Sequence, residues 1–217
     1  MRTLNEEMDR LKEKILLMGG KVEVAIGLSV RALRERDPEM ARQVIAGDRG
    51  INDMEIEVDE LCHLILATQQ PTAGHMRFVT SAMKINTDLE RIGDLAVNIA
   101  ERAVEISGEK PLKPLIDIPR MASIAQEMVR IALDSLINRD ANSARKVCER
   151  DDEVDDLNAQ VFRELISYML QDRENIKRAL ELIMVARHLE RIADHATNIA
   201  EDVIYMVQGK DIRHHRG

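Results

Sequence analysis

Five oxygen-bearing side chains recur along one stretch of this chain: Glu90, Asp94, Asn98, Glu101 and Glu105. At about 100° per residue they fall within an arc of about 80° on a single helix face. Carboxylate and amide oxygens at i,i+4 spacing are the donors that hard and borderline cations take. Like charges at that spacing destabilise a helix by roughly 0.2–0.5 kcal/mol per pair. A cation close by, either an arginine from another helix or a metal ion, would offset that cost. The pattern is written again a hundred residues later: LERIGDLAVNIAE starts at Leu89, LERIADHATNIAE at Leu189, and ten of the thirteen positions are identical. The second copy supplies Glu190, Asp194, Asn198 and Glu201, with Arg187 placed to pair with Glu190 where the first copy has Thr87.

A second acidic stripe precedes each copy. Asp48, Asn52, Glu55 and Asp59 share a face in the first half of the chain, and Asp151, Asp155 and Asn158 share the aligned face in the second. Both flank an apolar stripe. Whether they look towards the Glu90 and Glu190 faces is a matter of packing that spacing leaves open.

The elements that must carry these faces are helices. Leu89, Ile92, Ala96, Ile99, Ala103 and Ile106 follow steps of three and four and form a core seam, with the acidic arc almost opposite. Composition agrees: 45% hydrophobic, 2% aromatic, no Trp and only five Pro in 217 residues favour helix over sheet. Proline and capping signals predict helices over about 4–36, 38–69 (interruptible near Gly47), 73–107, 119–139, 141–170 and 173–208. RDPEMARQV at Arg36 and RDANSARKV at Arg139 extend the repeat. The expected fold is all-α, two tandem quasi-equivalent three-helix bundles: 1–107, a proline-rich linker 108–118, 119–210, and a polar tail 211–217 expected to be disordered.

A net charge of −8 speaks against nucleic-acid binding, which needs a basic face. No apolar run approaches the length of a membrane span, so no membrane insertion is expected. Two cysteines, Cys62 and Cys148, favour a reducing compartment, the cytoplasm.

At these residues the chain resembles the PhoU family of bacterial phosphate-transport accessory and regulatory proteins. The likeness rests on the full-length duplication, on GDRGINDME with RDDEVDDLN, and on the two LERI segments. The resemblance implies a non-enzymatic regulator with iron or zinc ions, as multinuclear clusters, on the acidic faces. Ligands would be Glu90, Asp94, Glu190 and Asp194, then Asp48, Asn52, Asp151 and Asp155, then Asn98 and Asn198. Asn52 stands where the family motif has a carboxylate. The resemblance also implies a cytoplasmic homodimer acting beside the ATPase of the phosphate ABC transporter and restraining a phosphate-sensing histidine kinase. Two rivals remain: a metal-dependent hydrolase of phosphate compounds, and a metal-free adaptor whose acidic faces dock a basic partner.

Smaller signals read as structure. Glu60 and His63 form a Glu-x-x-His step without the second copy an interior di-iron site requires. His188 and His195 lie near the core edge and read as packing or interface residues. Met54, Met83, Met128 and Met184 read as core, and Arg91 and Arg191 as bridges to neighbouring helices. Spacing singles out no catalytic residues.

Overall fold

The computed structural model describes residues 3–210, and among these every regular element is helical. The first half holds α1 (Leu4–Glu35), α2 (Pro38–Gly47), α3 (Arg49–Thr68) and α4 (Ala73–Ile106). The second holds α5 (Asp117–Asn138), α6 (Ala141–Gln171) and, after a 3-10 turn at Arg173–Asn175, α7 (Ile176–Gln208). The α2–α3 pair takes the place of α6. Its break is slight, because Asp48 keeps helical torsions (φ −58°, ψ −38°) between the two segments. Pro119 falls inside α5 rather than before it; in the first turn it removes an N–H that lacks an intrahelical partner anyway.

The duplication extends to the turns. α1 ends at Arg36 and α5 at Arg139, both in the left-handed region with φ of 59° and 53°. This conformation costs a non-glycine residue about 1–2 kcal/mol. The next residue compensates in each case. Asp37 Oδ1 accepts the N–H groups of Glu39 and Met40 at 2.9 and 3.0 Å. Asp140 does the same for Asn142 and Ser143 at 2.9 and 3.2 Å. Arg36 also caps α4, donating to the carbonyls of Ile106 and Ser107.

The seam expected on α4 is buried along its whole length, from Leu89 to Ile106. α4 packs on α1, α2, α3 and α7, while α7 packs on α4, α5 and α6, so the two halves share one continuous core. Their junction is an antiparallel α4–α7 pair with a seven-residue rhythm. Ser81 Oγ donates to the Asp202 carbonyl at 3.5 Å, Asp88 meets His195 at 2.8 Å, and Arg102 donates to Glu181 at 3.1 Å. Leu95 therefore falls opposite His188. Adding one hundred to the number of Ser81 or Asp88 gives Glu181 or His188, so the junction has pseudo-twofold symmetry in its positions but not in its residues. α1 and α5 add a second contact between the halves. There Gly19 admits Leu133, whose Cδ1 would lie 2.1 Å from a Cβ at position 19.

Candidate functional site

The two acidic stripes of each half face each other. In the first half the carboxyl of Glu90, on α4, is raised above its usual range. Burial is the main cause, and the charges of Asp94, Glu55 and Asp48 add to it against a smaller opposing effect of Arg91. Asp48, at the α2–α3 break, is raised by burial and by Asp94, while a hydrogen bond from Asn52 Nδ2 to its Oδ2 (2.9 Å) works the other way. Glu90, Asp94, Asp48, Asn52 and Glu55 thus form one charged furrow between α4 and the middle segment. Gly93 sets how close the two approach. A Cβ there would stand 3.2 Å from Ile51 Cδ1 and 3.5 Å from Asp48 Oδ1.

The second half repeats the furrow with different balances. Glu190 is raised by burial and then by Asp194, Asp155 and Asp151, with Arg187 pulling it down. Arg187 acts through its field: among the described residues it forms no ion pair with Glu190. A cavity of about 510 Å³ bordered by Asp155, Asn158, Arg187 and Glu190 opens on this side. Asp151, which spacing places beside Asp155 on the flank of the apolar stripe, is buried at 5% exposure where α6 packs on α7.

The outer part of the α4 arc has other commitments. Glu105 accepts from Lys177 of the second half at 3.1 Å, and on α3 Asp59 likewise holds His63 at 3.2 Å. Asn98 is half-buried and Asn198 exposed, each one turn beyond the Asp94 or Asp194 carboxylate. Two expectations need correction. Met184 is 41% exposed, and Arg91 and Arg191, both exposed, make no ion pair among the described residues. Glu60 and His63 are both exposed, in keeping with a step that builds no interior di-iron site. His188 and His195 do lie at the helix–helix junction, as packing residues.

The donor chemistry fits a cation. Asp48 Oδ1, Asn52 Oδ1 and Glu190 Oε2 are buried oxygens without a hydrogen-bond donor, and leaving such atoms unmatched costs about 1–3 kcal/mol each. Convergence is pairwise, however: among the described residues no three His, Cys, Asp or Glu side chains stand close enough together to hold an ion. Sequence reasoning missed the Asp88–His195 pair. Its members are 107 residues apart, and no local spacing signals such a contact.

Fold and furrows together define a class: an internally duplicated helical protein that presents one acidic furrow per repeat. The comparisons agree on which. A PhoU domain is matched twice, over residues 15–103 and 118–203, and the chain belongs to the PhoU family. It is 44% identical over 211 residues to a phosphate-specific transport system accessory protein PhoU homolog of Aquifex aeolicus, covering 97% of this chain and 96% of the relative. A Pseudomonas aeruginosa homolog is 42% identical, covering 97% and 87%. The crystal structure of PhoU from P. aeruginosa superposes with a TM-score of 0.91 at 41% identity, over 96% of this chain and all of that one. The phosphate transport system regulatory protein PhoU from Streptococcus pneumoniae gives 0.88 at 27% identity, covering 96% and 99%.

Proposed function

We propose that this protein is a non-enzymatic regulator of phosphate uptake that carries metal in its two furrows. In this reading it couples the phosphate ABC transporter, through the ATPase component, to a phosphate-sensing histidine kinase and restrains that kinase. The observation that carries the metal reading is the facing of Glu90 and Asp94 with Asp48 and Asn52, repeated as Glu190 and Asp194 with Asp151 and Asp155. Burial raises the cost of the charges on Asp48, Glu90 and Glu190, and a divalent ion between the stripes would stabilise them at once. Mixed carboxylate and amide oxygens accept hard and borderline cations, and iron or zinc is the choice the family resemblance implies. The ion would supply positive charge that clamps the middle segment to α4 and α7. Asn98 and Asn198 would extend each site outward.

The phosphate role rests on relatives named as accessory proteins of phosphate-specific transport, matched over nearly the whole chain. No helix of the described residues is long and apolar enough to cross a membrane, which suits a partner that works from the cytoplasmic side. The test is elemental analysis of untagged protein beside the Asp94→Ala/Asp194→Ala variant. Iron or zinc that survives dialysis in the wild type and is lost in the variant supports the reading. Protein that carries no metal and cannot be loaded sinks it and leaves the furrows as docking surfaces for a basic partner.

A further inference from the structure

Opposite in charge to the furrows, a cavity of about 280 Å³ lies where the linker passes the ends of α1 and α4 and the start of α7. Five of its lining side chains are bases, Arg34, Arg36, Lys110, Lys113 and Arg178, and among the described residues no acid lines it. The whole chain carries a net charge of −8, so this concentration of one sign runs against its composition. The bases come from three segments: two from the end of α1, two from the linker and one from the first turn of α7. Buried Leu33, Ile106 and Leu182 give the cavity an apolar floor, with Leu112 and Leu115 of the linker beside them. The internal repeat shows what the fold itself requires. The positions of Arg34 and Arg178 are held in the other half by Ile137 and Phe78, so packing dictates neither arginine.

Existing ion pairs fix how much charge is left over. Lys113 meets Glu164 and Asp117. Arg34 shares Glu35 with Arg31, and Arg178 shares Glu109 with Lys177, which also holds Glu105. Asp37, next to Arg36 in the chain, is turned to the start of α2, where it accepts two N–H groups. Arg36 donates to the carbonyls of Ile106 and Ser107, and neither it nor Lys110 pairs with a carboxylate among the described residues. Two positive charges are therefore unmatched around one recess, whose low-dielectric walls focus their field. We propose that this cavity binds a soluble phosphate monoester whose organic part is small and apolar. Such a group carries a charge of about −1.5 to −2 at pH 7, which matches the excess, and its oxygens suit guanidinium and ammonium donors. The floor takes the organic part, kept small because ligand pockets seldom fall below about 300 Å³. An acidic protein segment fits less well. The side chains of Lys113 and Arg178 are 8% and 17% exposed, within reach of a small group that enters the recess and withdrawn from a helix or strand laid across it.

The cavity shares no residue with the furrows, so its test is separate from the metal reading. Isothermal titration calorimetry in phosphate-free buffer, on the full chain before and after metal is stripped, should show saturable binding of phenyl phosphate to both samples. Inorganic phosphate, which lacks the apolar part, and benzoate, which carries a single charge, should each bind at least tenfold more weakly. Arg34→Glu/Lys110→Glu should weaken phenyl phosphate at least tenfold, with circular dichroism unchanged because both side chains are exposed. No saturable binding, equal affinity for inorganic phosphate or benzoate, or indifference to the variant overturns the proposal. Binding that disappears when metal is stripped overturns it too, by assigning the phosphate to an ion in a furrow. A polyglutamate peptide that displaces phenyl phosphate and binds more tightly would assign the recess to an acidic protein segment. Flotation with phosphatidic acid vesicles that the variant abolishes would assign it to a lipid headgroup, and either result overturns the proposal equally.

Discussion

His195 Nδ1 lies 2.8 Å from Asp88 Oδ1 across the junction of the two halves, with both side chains nearly buried. The symmetry-related positions are His188 and Leu95, so the pair exists on one side of the pseudo-twofold only. Hydrogen bonds to charged groups contribute about 1.5–3 kcal/mol when buried, and removing one partner strands the other. Asp88→Ala should therefore lower unfolding free energy in urea by about 2–3 kcal/mol. His195→Leu, which installs the residue already accepted at the symmetry-related site, should cost less. In a double-mutant cycle the second change should add little to the first; simple additivity would mean the two side chains do not interact.

Much of this architecture was legible from residue order. Asp37 and Asp140 mark helix starts, prolines mark the linker, and the three-and-four rhythm from Leu89 to Ile106 marks a buried seam. The acidic arc of Glu90, Asp94 and Asn98 was equally visible, because helical period assigns a residue to a face. Period does not say what that face meets. The opposition of Asp48 to Glu90, the burial of Asp151 and the contact of Asp88 with His195 each depend on how two helices are laid together. Met184 misled for a related reason, since a methionine at helical spacing suits a core and an exposed face alike.

His188 is buried opposite Leu95, with Arg191, Arg102 and Arg187 near enough to disfavour a further positive charge. Burial, then those arginines, push its pKa down to about 4 from 6.5. A base held neutral in the folded state contributes stability that is fully present above pH 6.5 and is lost as pH falls towards 4. The full effect is on the order of 3 kcal/mol. His188→Gln in metal-free protein should flatten the loss of urea stability across that window. A slope equal to that of the wild type would show that His188 titrates alike in folded and unfolded chains.

The two thiols should differ sharply in reactivity. Burial, then the charge of Asp59, push Cys62 up to about 12, and its side chain is fully enclosed. Cys148 is half-buried and donates a weak bond to the Ala144 carbonyl at 3.7 Å. Because the thiolate is the nucleophile, iodoacetamide at pH 8 should modify Cys148 in the native protein and reach Cys62 only after denaturant is added. Peptide mapping that finds Cys62 alkylated at the rate of Cys148 would contradict the packing of α3 against α1 and α4.

The furrows make a prediction in which two effects have opposite signs. Asp94 raises the carboxyls of both Asp48 and Glu90, so without metal its charge works against the folded state. Asp94→Asn removes that charge and keeps the shape; at pH 7 it should leave metal-free protein unchanged or more stable by a few tenths of a kcal/mol, the scale of an exposed like-charge pair. With metal present the balance reverses. An ion at 100 times its dissociation constant stabilises the folded chain by about 2.7 kcal/mol, and a lost ligand removes much of that. Melting curves with chelator and with zinc should therefore cross: Asp94→Asn at or above the wild type in chelator and below it in zinc. Asp194→Asn should likewise fall below the wild type in zinc, since Asp194 stands beside Glu190 in the second furrow. If zinc shifts wild type and both variants equally, the ion binds elsewhere and the furrows do not hold it.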